Sequence, residues 1–429
     1  MNSSSLKQLW VLMAIVFVDM IGFLLVTPLL PFYATNLGAR PIVVTMIISA
    51  FSLAQLLSAP FWGRFSDRYG RRPALLVGLA SSAVAFALFG LANSIFLLFL
   101  FRLLQGAGGG TTGVVQAYVS DSVPPEKRAE ALGWISAATN AGVMIGPALG
   151  SLAAKHIGWS GPGFVAAVLC TLNVLAAWRW LPESKREEHP LMPADAAATA
   201  AAAAAPIPPA PRQPLLKSVF HVLSDPGSPV SLLIWIYAVG MLAFMGMNGV
   251  LALYLGKVYG VTKETIGYFY SYIGAIGIVM RAVLLGPTVR RFGEIGVTRM
   301  GSLSLVLGLA LIPVPALLDL TRMERFGLLA LIVMLVPVGT ALLFPATTAL
   351  VSRRGARAEM GQTMGVQQAF GSTARVVGPI CAGWLYELNI KAPFWAAAAV
   401  MLATSFLTSR LTEEEPARVA VEAPAADRA

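Results

Sequence analysis

Four charged residues stand well inside long apolar runs of this 429-residue chain: Asp19, Arg102, Arg281 and Arg375. A charge at the centre of a lipid bilayer costs at least ~2.5–3.5 kcal/mol, so each of these residues needs a reason to be there. A long arginine can reach towards a membrane surface. That suits Arg281, near the end of its run, better than Arg102 or Arg375. Asp19 has a short side chain and cannot reach. A carboxylate holds its proton more tightly when desolvated and less tightly beside an arginine, which is the chemistry of a proton carrier. Asp19 is therefore the expected proton-coupling group, with a static ion pair as the bland alternative.

The elements that must position these charges are membrane spans. The chain is 57% hydrophobic and 12% charged, against roughly 25% charged in an ordinary soluble domain. Too few charges remain to cover a water-facing surface of this size. About 20 apolar residues cross the hydrocarbon core as a helix. Runs of that kind fall at 9–32, 42–62, 73–91, 95–120, 130–153 and 161–181, then at 230–256, 264–288, 298–318, 326–351, 360–386 and 392–411. The first lacks a small-residue cleavage site and contains Asp19, so it reads as a retained span.

Twelve spans put both termini on one side. Of the 31 lysines and arginines, 21 lie on that side, 7 on the other and three inside spans. This bias places both termini in the cytoplasm of a cell inner membrane. The same distribution argues against nucleic-acid binding despite the net charge of +10, because no basic, aromatic-interleaved face exists. Cys170 and Cys381 sit apart in apolar runs and His156, His189 and His221 are scattered, so no disulfide or metal spacing is present. No polar cluster suited to a membrane enzyme and no phosphate-binding loop appears, which argues against an enzyme and against an ATP-driven pump on one chain.

Residues 182–229, with the alanine run 196–205 and five prolines after it, read as a flexible cytoplasmic linker between a first bundle, 1–181, and a second, 230–411. Residues 412–429 are charged and read as a disordered cytoplasmic tail. The halves are related. Gly63, Arg68 and Gly70 after the second span align without a gap with Gly286, Arg291 and Gly293 after the eighth, and Gly146-Pro147 in the fifth corresponds to Gly378-Pro379 in the eleventh. Parallel halves around a central cavity are an established transporter plan.

Several segments resemble the major facilitator superfamily. The stretch Gly63-Arg-Phe-Ser-Asp67-Arg68-Tyr-Gly70-Arg71-Arg72 is similar to its signature between spans two and three. Arg102-Leu-Leu-Gln105-Gly106 resembles its second motif, and Gly142-Val-Met-Ile-Gly146-Pro147-Ala-Leu-Gly150 resembles the motif of exporters that exchange substrate for protons. Asp19-Met-Ile-Gly22 with Pro28-Leu-Leu-Pro31 is similar to tetracycline and multidrug efflux proteins. The resemblance implies an all-α major facilitator fold of two pseudo-symmetric six-helix bundles. It implies a monomer that exports an amphiphilic small molecule or drug against protons, driven by the proton motive force without a cofactor. Proton-coupled uptake of a metabolite is the alternative.

The resemblance further implies that Asp67 meets the cytoplasmic start of span eleven as a latch, that Asp121 pairs with a nearby arginine, and that Arg102 partners Asp19. In the second half Arg290 stands where Asp67 would be, which puts a second latch in doubt. Gly63 and Gly70 are expected to permit tight turns and close approach. Arg68, Arg71 and Arg72 are expected to anchor the cytoplasmic face. The four-residue spacings Gly106/Gly110, Gly109/Gly113, Gly142/Gly146 and Gly146/Gly150 predict flat strips for helix contact, and Pro147 is expected to bend its helix. Cavity candidates are Gln105, Asn248, Tyr254, Arg281, Gln367 and Arg375, with Tyr268, Tyr270, Tyr272 and Gln368; helix-interface and lipid-boundary positions are the commoner places for such residues. Three intramembrane arginines against one carboxylate favour an anionic or zwitterionic substrate.

Overall fold

The computed structural model describes residues 3–184, 215–354 and 360–409. Every regular element among them is helical. In the first half these are α1 (Ser3–Val26), α2 (Leu30–Asn36), α3 (Pro41–Tyr69), α4 (Arg71–Gly90), α5 (Ile95–Gly108), α6 (Thr112–Ser122), α7 (Arg128–Ile157) and α8 (Gly161–Trp180). A short α9 (Leu215–Ser224) precedes the second half: α10 (Pro229–Tyr259), α11 (Ile266–Val279), α12 (Leu285–Leu311), α13 (Arg322–Val333), α14 (Leu335–Arg354), α15 (Met360–Leu388) and α16 (Ala392–Ser409).

Among the described residues, nine stretches are long and apolar enough to cross a membrane. One of them, Ile266–Leu317, is 52 residues long and is broken at Gly293, whose φ of 67° is non-helical. Dividing it there, and adding the long helices α7 and α15, gives the expected twelve. Those two are less apolar because they carry many glycines and polar groups, Asn140 and Ser151 in α7 and Gln367 and Arg375 in α15 among them.

In the first half two expected spans are interrupted. α1 and α2 form one span broken at 27–29, where Pro28 offers no backbone donor and the Thr27 hydroxyl donates to Phe23 O at 2.7 Å. α5 and α6 form another across the tight turn Gly109–Thr111. Pro147 lies inside a continuous α7.

The internal repeat is visible in the backbone. Gly70 (φ 102°) and Gly293 (φ 67°) occupy corresponding turns with positive φ, a region that L side chains enter only with strain. Gly146 of α7 lies on the α1 backbone, where a Cβ would stand 2.9 Å from Ile21 O. Its counterpart Gly378 of α15 lies on α10, where a Cβ would stand 2.6 Å from Leu242 O. The halves then meet along two equivalent seams, α3 against α15 and α7 against α11. In the first, the Ser49 hydroxyl donates to Val376 O at 2.7 Å and Ile42 N–H to Glu387 at 3.3 Å. In the second, the Ser151 hydroxyl donates to Lys263 O at 2.8 Å and accepts from Gly267 N–H at 2.9 Å.

These contacts run from mid-depth to the face carrying Gly38, Gly158 and Gly260. Towards the opposite, Gly70 face the seam helices part. Leu57 and Phe61 of α3 are 71% and 61% exposed, and side chains placed at Gly63, Gly133 or Gly361 would meet nothing within 4 Å.

Several sequence expectations need correction. The segment 63–72 is not a loop: α3 runs on to Tyr69, and Gly70 alone makes the turn. Gly63 is a helical residue without a close neighbour, so neither a tight turn nor close approach explains it. Gly113 likewise meets nothing, whereas Gly106 and Gly110 do lie against α3. The end of the expected flexible linker is the helix α9. It docks on the second half through Gln362, whose side chain donates to the Ser218 hydroxyl at 2.5 Å, and through Val222 O, which accepts from the Trp235 indole at 3.2 Å. The alanine run 196–205 and the tail 412–429 lie outside the described residues.

Candidate functional site

A cavity of about 490 Å³ sits where the two halves face each other, within the range usual for small-molecule sites. Its wall includes Asp19, Met20 and Phe23 of α1, Phe51 and Gln55 of α3, Arg102 and Gln105 of α5, and Val143 and Pro147 of α7. The second half contributes Phe244, Met245 and Asn248 of α10, Tyr270 of α11, and Arg375 and Pro379 of α15. The expected residues Asp19, Arg102, Gln105, Asn248 and Arg375 are thus brought together on one wall.

Small residues place these groups. The strip Gly142, Gly146 and Gly150 of α7 presses onto the backbone of α1 between Phe17 and Leu25. That contact fixes the rotation of α1 and leaves Asp19 facing the cavity. Gly106 does the same for α5 against Phe51 O of α3, which brings Arg102 onto the Phe51 ring at 4.9 Å. A guanidinium over an aromatic face is attracted by the ring quadrupole.

Arg102 is 2% exposed. It donates to Gln105 Oε1 at 2.7 Å and also lies 5.8 Å from the Phe23 ring. Phe23 is one turn from Asp19 on the same face of α1. Arg102 therefore perches beside the turn that carries Asp19. Among the described residues no ion pair reaches Asp19, so the expected partnership is one of proximity and not of contact in this conformation.

Other expected cavity residues lie elsewhere. Tyr254 is fully buried in the second half, against Phe394 at 4.9 Å and Tyr259 at 6.1 Å. Gln367 is buried and donates to the Thr348 hydroxyl at 3.1 Å. Arg281 lies on the π-helical turn Met280–Leu284 and donates to Asn140 of α7 at 2.9 Å, bridging the halves. Tyr268 and Tyr272 are exposed, and Gln368 is absent from the wall; Tyr270 alone of its group lines the cavity. The aromatic wall of Phe23, Phe51, Phe86 and Phe244 was missed, because a phenylalanine in an apolar run carries no signal of which way it faces.

The chain matches the profile described as Major Facilitator Superfamily over residues 12–323 and 320–428. It belongs to the major facilitator superfamily. It is 26% identical over 401 residues to "Multidrug resistance protein 2" of Bacillus subtilis (strain 168), covering 93% of each chain. It is 27% identical over 398 residues to "Tetracycline resistance protein, class C" of Escherichia coli, covering 89% of this chain and 90% of that one. A crystal structure titled peptide transporter POT in complex with sulfate shares the fold, with a TM-score of 0.71 at 16% identity over 94% of each chain. The protein is accordingly a multi-pass membrane transporter and not an enzyme.

The superfamily's signature turn is held by charge. Arg71 at the start of α4 pairs with Asp67 at 2.6 Å, one turn back on α3, and with Asp121 of α6 at 2.9 Å. Glu183, unforeseen from sequence, accepts from the N–H groups of Arg71 and Arg72 at 2.8 and 3.1 Å, favourable at a helix N-terminus. Arg72 donates to Trp178 O, and Arg68 lies over the Tyr69 ring. Asp67 is 71% exposed, and the residues just before α15, which a latch would touch, lie outside the described residues. The second half repeats this joint with the signs exchanged: Glu294 follows Gly293, as Arg71 follows Gly70, and pairs with Arg353 of α14 at 2.9 Å.

Proposed function

We propose that this transporter exports an amphiphilic small molecule in exchange for protons by alternating access. Its termini lie in the cytoplasm of the inner membrane, it acts as a monomer, and the proton motive force is its only energy source. One observation carries this reading: Asp19, without an ion-pair partner among the described residues, lines a cavity shared by both halves and stands one helical turn from the perch of Arg102. An approaching guanidinium favours proton release from a carboxylate, and its withdrawal favours uptake. Rocking of the halves shifts α5 against α1 and so couples access to protonation. With the termini cytoplasmic, the face on which the seam helices part opens inward, and the Asp67 latch to α15 belongs to the opposite state. Moving one charge is worth about 2.3 kcal/mol per 100 mV, so ~150 mV supplies roughly 3.5 kcal/mol per proton, enough for a gradient of a few hundredfold.

The two drug-resistance relatives support export over uptake. The test is proteoliposomes enclosing a pH-sensitive dye, under an imposed proton gradient, challenged with a panel of amphiphiles. Substrate-triggered proton movement in the wild type and its loss in Asp19→Asn is expected. Full coupling in Asp19→Asn, or substrate movement without proton flux, would sink the mechanism.

A further inference from the structure

Four charges were expected to share the membrane interior. The structure separates them by what they hold. Arg281 is committed to Asn140 across the seam, at 2.9 Å, and is not on the cavity wall. Arg102 is committed to Gln105 at 2.7 Å and stacked on Phe51 and Phe23, with almost no exposed surface. Arg375 lines the cavity. Among the described residues it has neither a hydrogen-bond partner nor an ion pair, yet it is only partly buried and its nitrogens are not sealed away.

An unpaired guanidinium deep in a membrane protein is expensive and marks a pathway or a ligand. Its five donors suit a carboxylate or a similar oxyanion, which it can hold in a bidentate fork. The backbone around it is rigid. The next residue, Val376, accepts the Ser49 hydroxyl across the seam at 2.7 Å, and Gly378 seats α15 on α10. The cavity that Arg375 lines is largely apolar and aromatic, with Phe244, Met245 and Tyr270 from the same half and Phe23 and Phe51 from the other. Asn248 spends one amide hydrogen on Phe244 O at 2.9 Å. Asp19 is the one carboxylate on the wall, which also carries the two arginines Arg102 and Arg375.

We propose that Arg375 anchors an anionic group of the transported molecule, so that the preferred substrates are aromatic or apolar bodies bearing a carboxylate. The anchor lies on the second half and the proton-carrying group on the first. A molecule held by both halves senses their relative position. This deepens the reading above, since it takes the same cavity as the substrate site.

The test is equilibrium binding to the purified protein in phosphatidylcholine nanodiscs without any gradient. The probes are a panel of aromatic scaffolds, naphthalene and biphenyl among them, each made as carboxylate, quaternary ammonium and neutral alcohol. The carboxylates are expected to bind the wild type at least about tenfold more tightly than the matched ammonium and alcohol forms. Arg375→Gln removes that preference while leaving alcohol binding unchanged, which shows the cavity intact; Arg375→Lys recovers part of it, and Arg281→Gln keeps it whole. Ammonium forms that bind the wild type as well as the carboxylates, a carboxylate preference that survives Arg375→Gln, or no carboxylate binding across the panel would each overturn the proposal. Because no proton movement is read, a failure of proton coupling would leave this result standing, and loss of charge preference would leave coupled export standing.

Discussion

Arg102 does two jobs that a lysine could not combine. Its planar guanidinium stacks on Phe51 and still donates to Gln105, whereas an ammonium is a compact, strongly hydrated point charge. Arg102→Lys therefore keeps the formal charge and loses the perch. We expect it to insert and fold, and to reduce substrate-triggered proton flux by about tenfold or more, read in the same dye-loaded vesicles used for Asp19→Asn. Flux equal to wild type would show that charge alone suffices. The two variants differ in kind. On the proposed mechanism Asp19→Asn removes the proton site and should uncouple completely, while Arg102→Lys should only weaken the group that modulates it. The aromatic rings explain how a desolvated cation waits near a carboxylate without collapsing onto it: each ring face offers part of the stabilisation that an ion pair would give.

Between elements, glycine sorts into two roles that look alike in the chain. Gly63 is helical and faces open space, while Gly70 has a φ of 102° and lies against Glu183, whose carboxylate caps the next two N–H groups. Gly63→Ala should leave thermal stability in detergent unchanged or raise it by up to about 1 kcal/mol, since alanine is the better helix former. Gly70→Ala should cost about 1–3 kcal/mol from backbone strain, and more from displacing Glu183. Thermal unfolding followed by size exclusion ranks them; equal stability of the two variants would refute the assigned turn. The sign-exchanged pair Glu294–Arg353 belongs to this scale as well. It repairs the joint that Arg290, standing where the first half has Asp67, seemed to leave without a counterpart.

For the whole molecule, the seams decide what can move. α3–α15 and α7–α11 are related by the repeat, and both are built on small residues. A Cβ at Gly383 would stand 3.0 Å from the Thr45 Cβ, a small shift from the 3.5–4.5 Å that a disulfide requires. Thr45→Cys with Gly383→Cys, in a background where Cys170 and Cys381 are serine, should crosslink readily on oxidation. The locked protein should stop transporting and recover on reduction. Transport undiminished by a complete crosslink would mean that this seam does not open during the cycle. Alternating access requires the contacts of Ser49, Ser151 and Gly267 to break together, because each holds the same face closed.

The division of labour between sequence and structure follows from these particulars. Hydropathy made the spans legible, since lipid demands about 20 apolar residues wherever a helix crosses. The cost of burying charge picked out Asp19, Arg102 and Arg375 before any contact was known, and the paired glycines announced the repeat. What a single chain cannot encode in local pattern is which face of a helix meets which neighbour. Arg281 and Arg375 both read from the sequence as cavity candidates, yet one is spent on Asn140 and the other stands open in the cavity. Tyr254 and Tyr270 are both tyrosines in apolar segments, and packing put one into a core and the other onto the wall. Those outcomes depend on helix rotation, which is set by close backbone approach at Gly106, Gly146 and Gly378, contacts between segments far apart in the chain that exist only once the bundle is assembled.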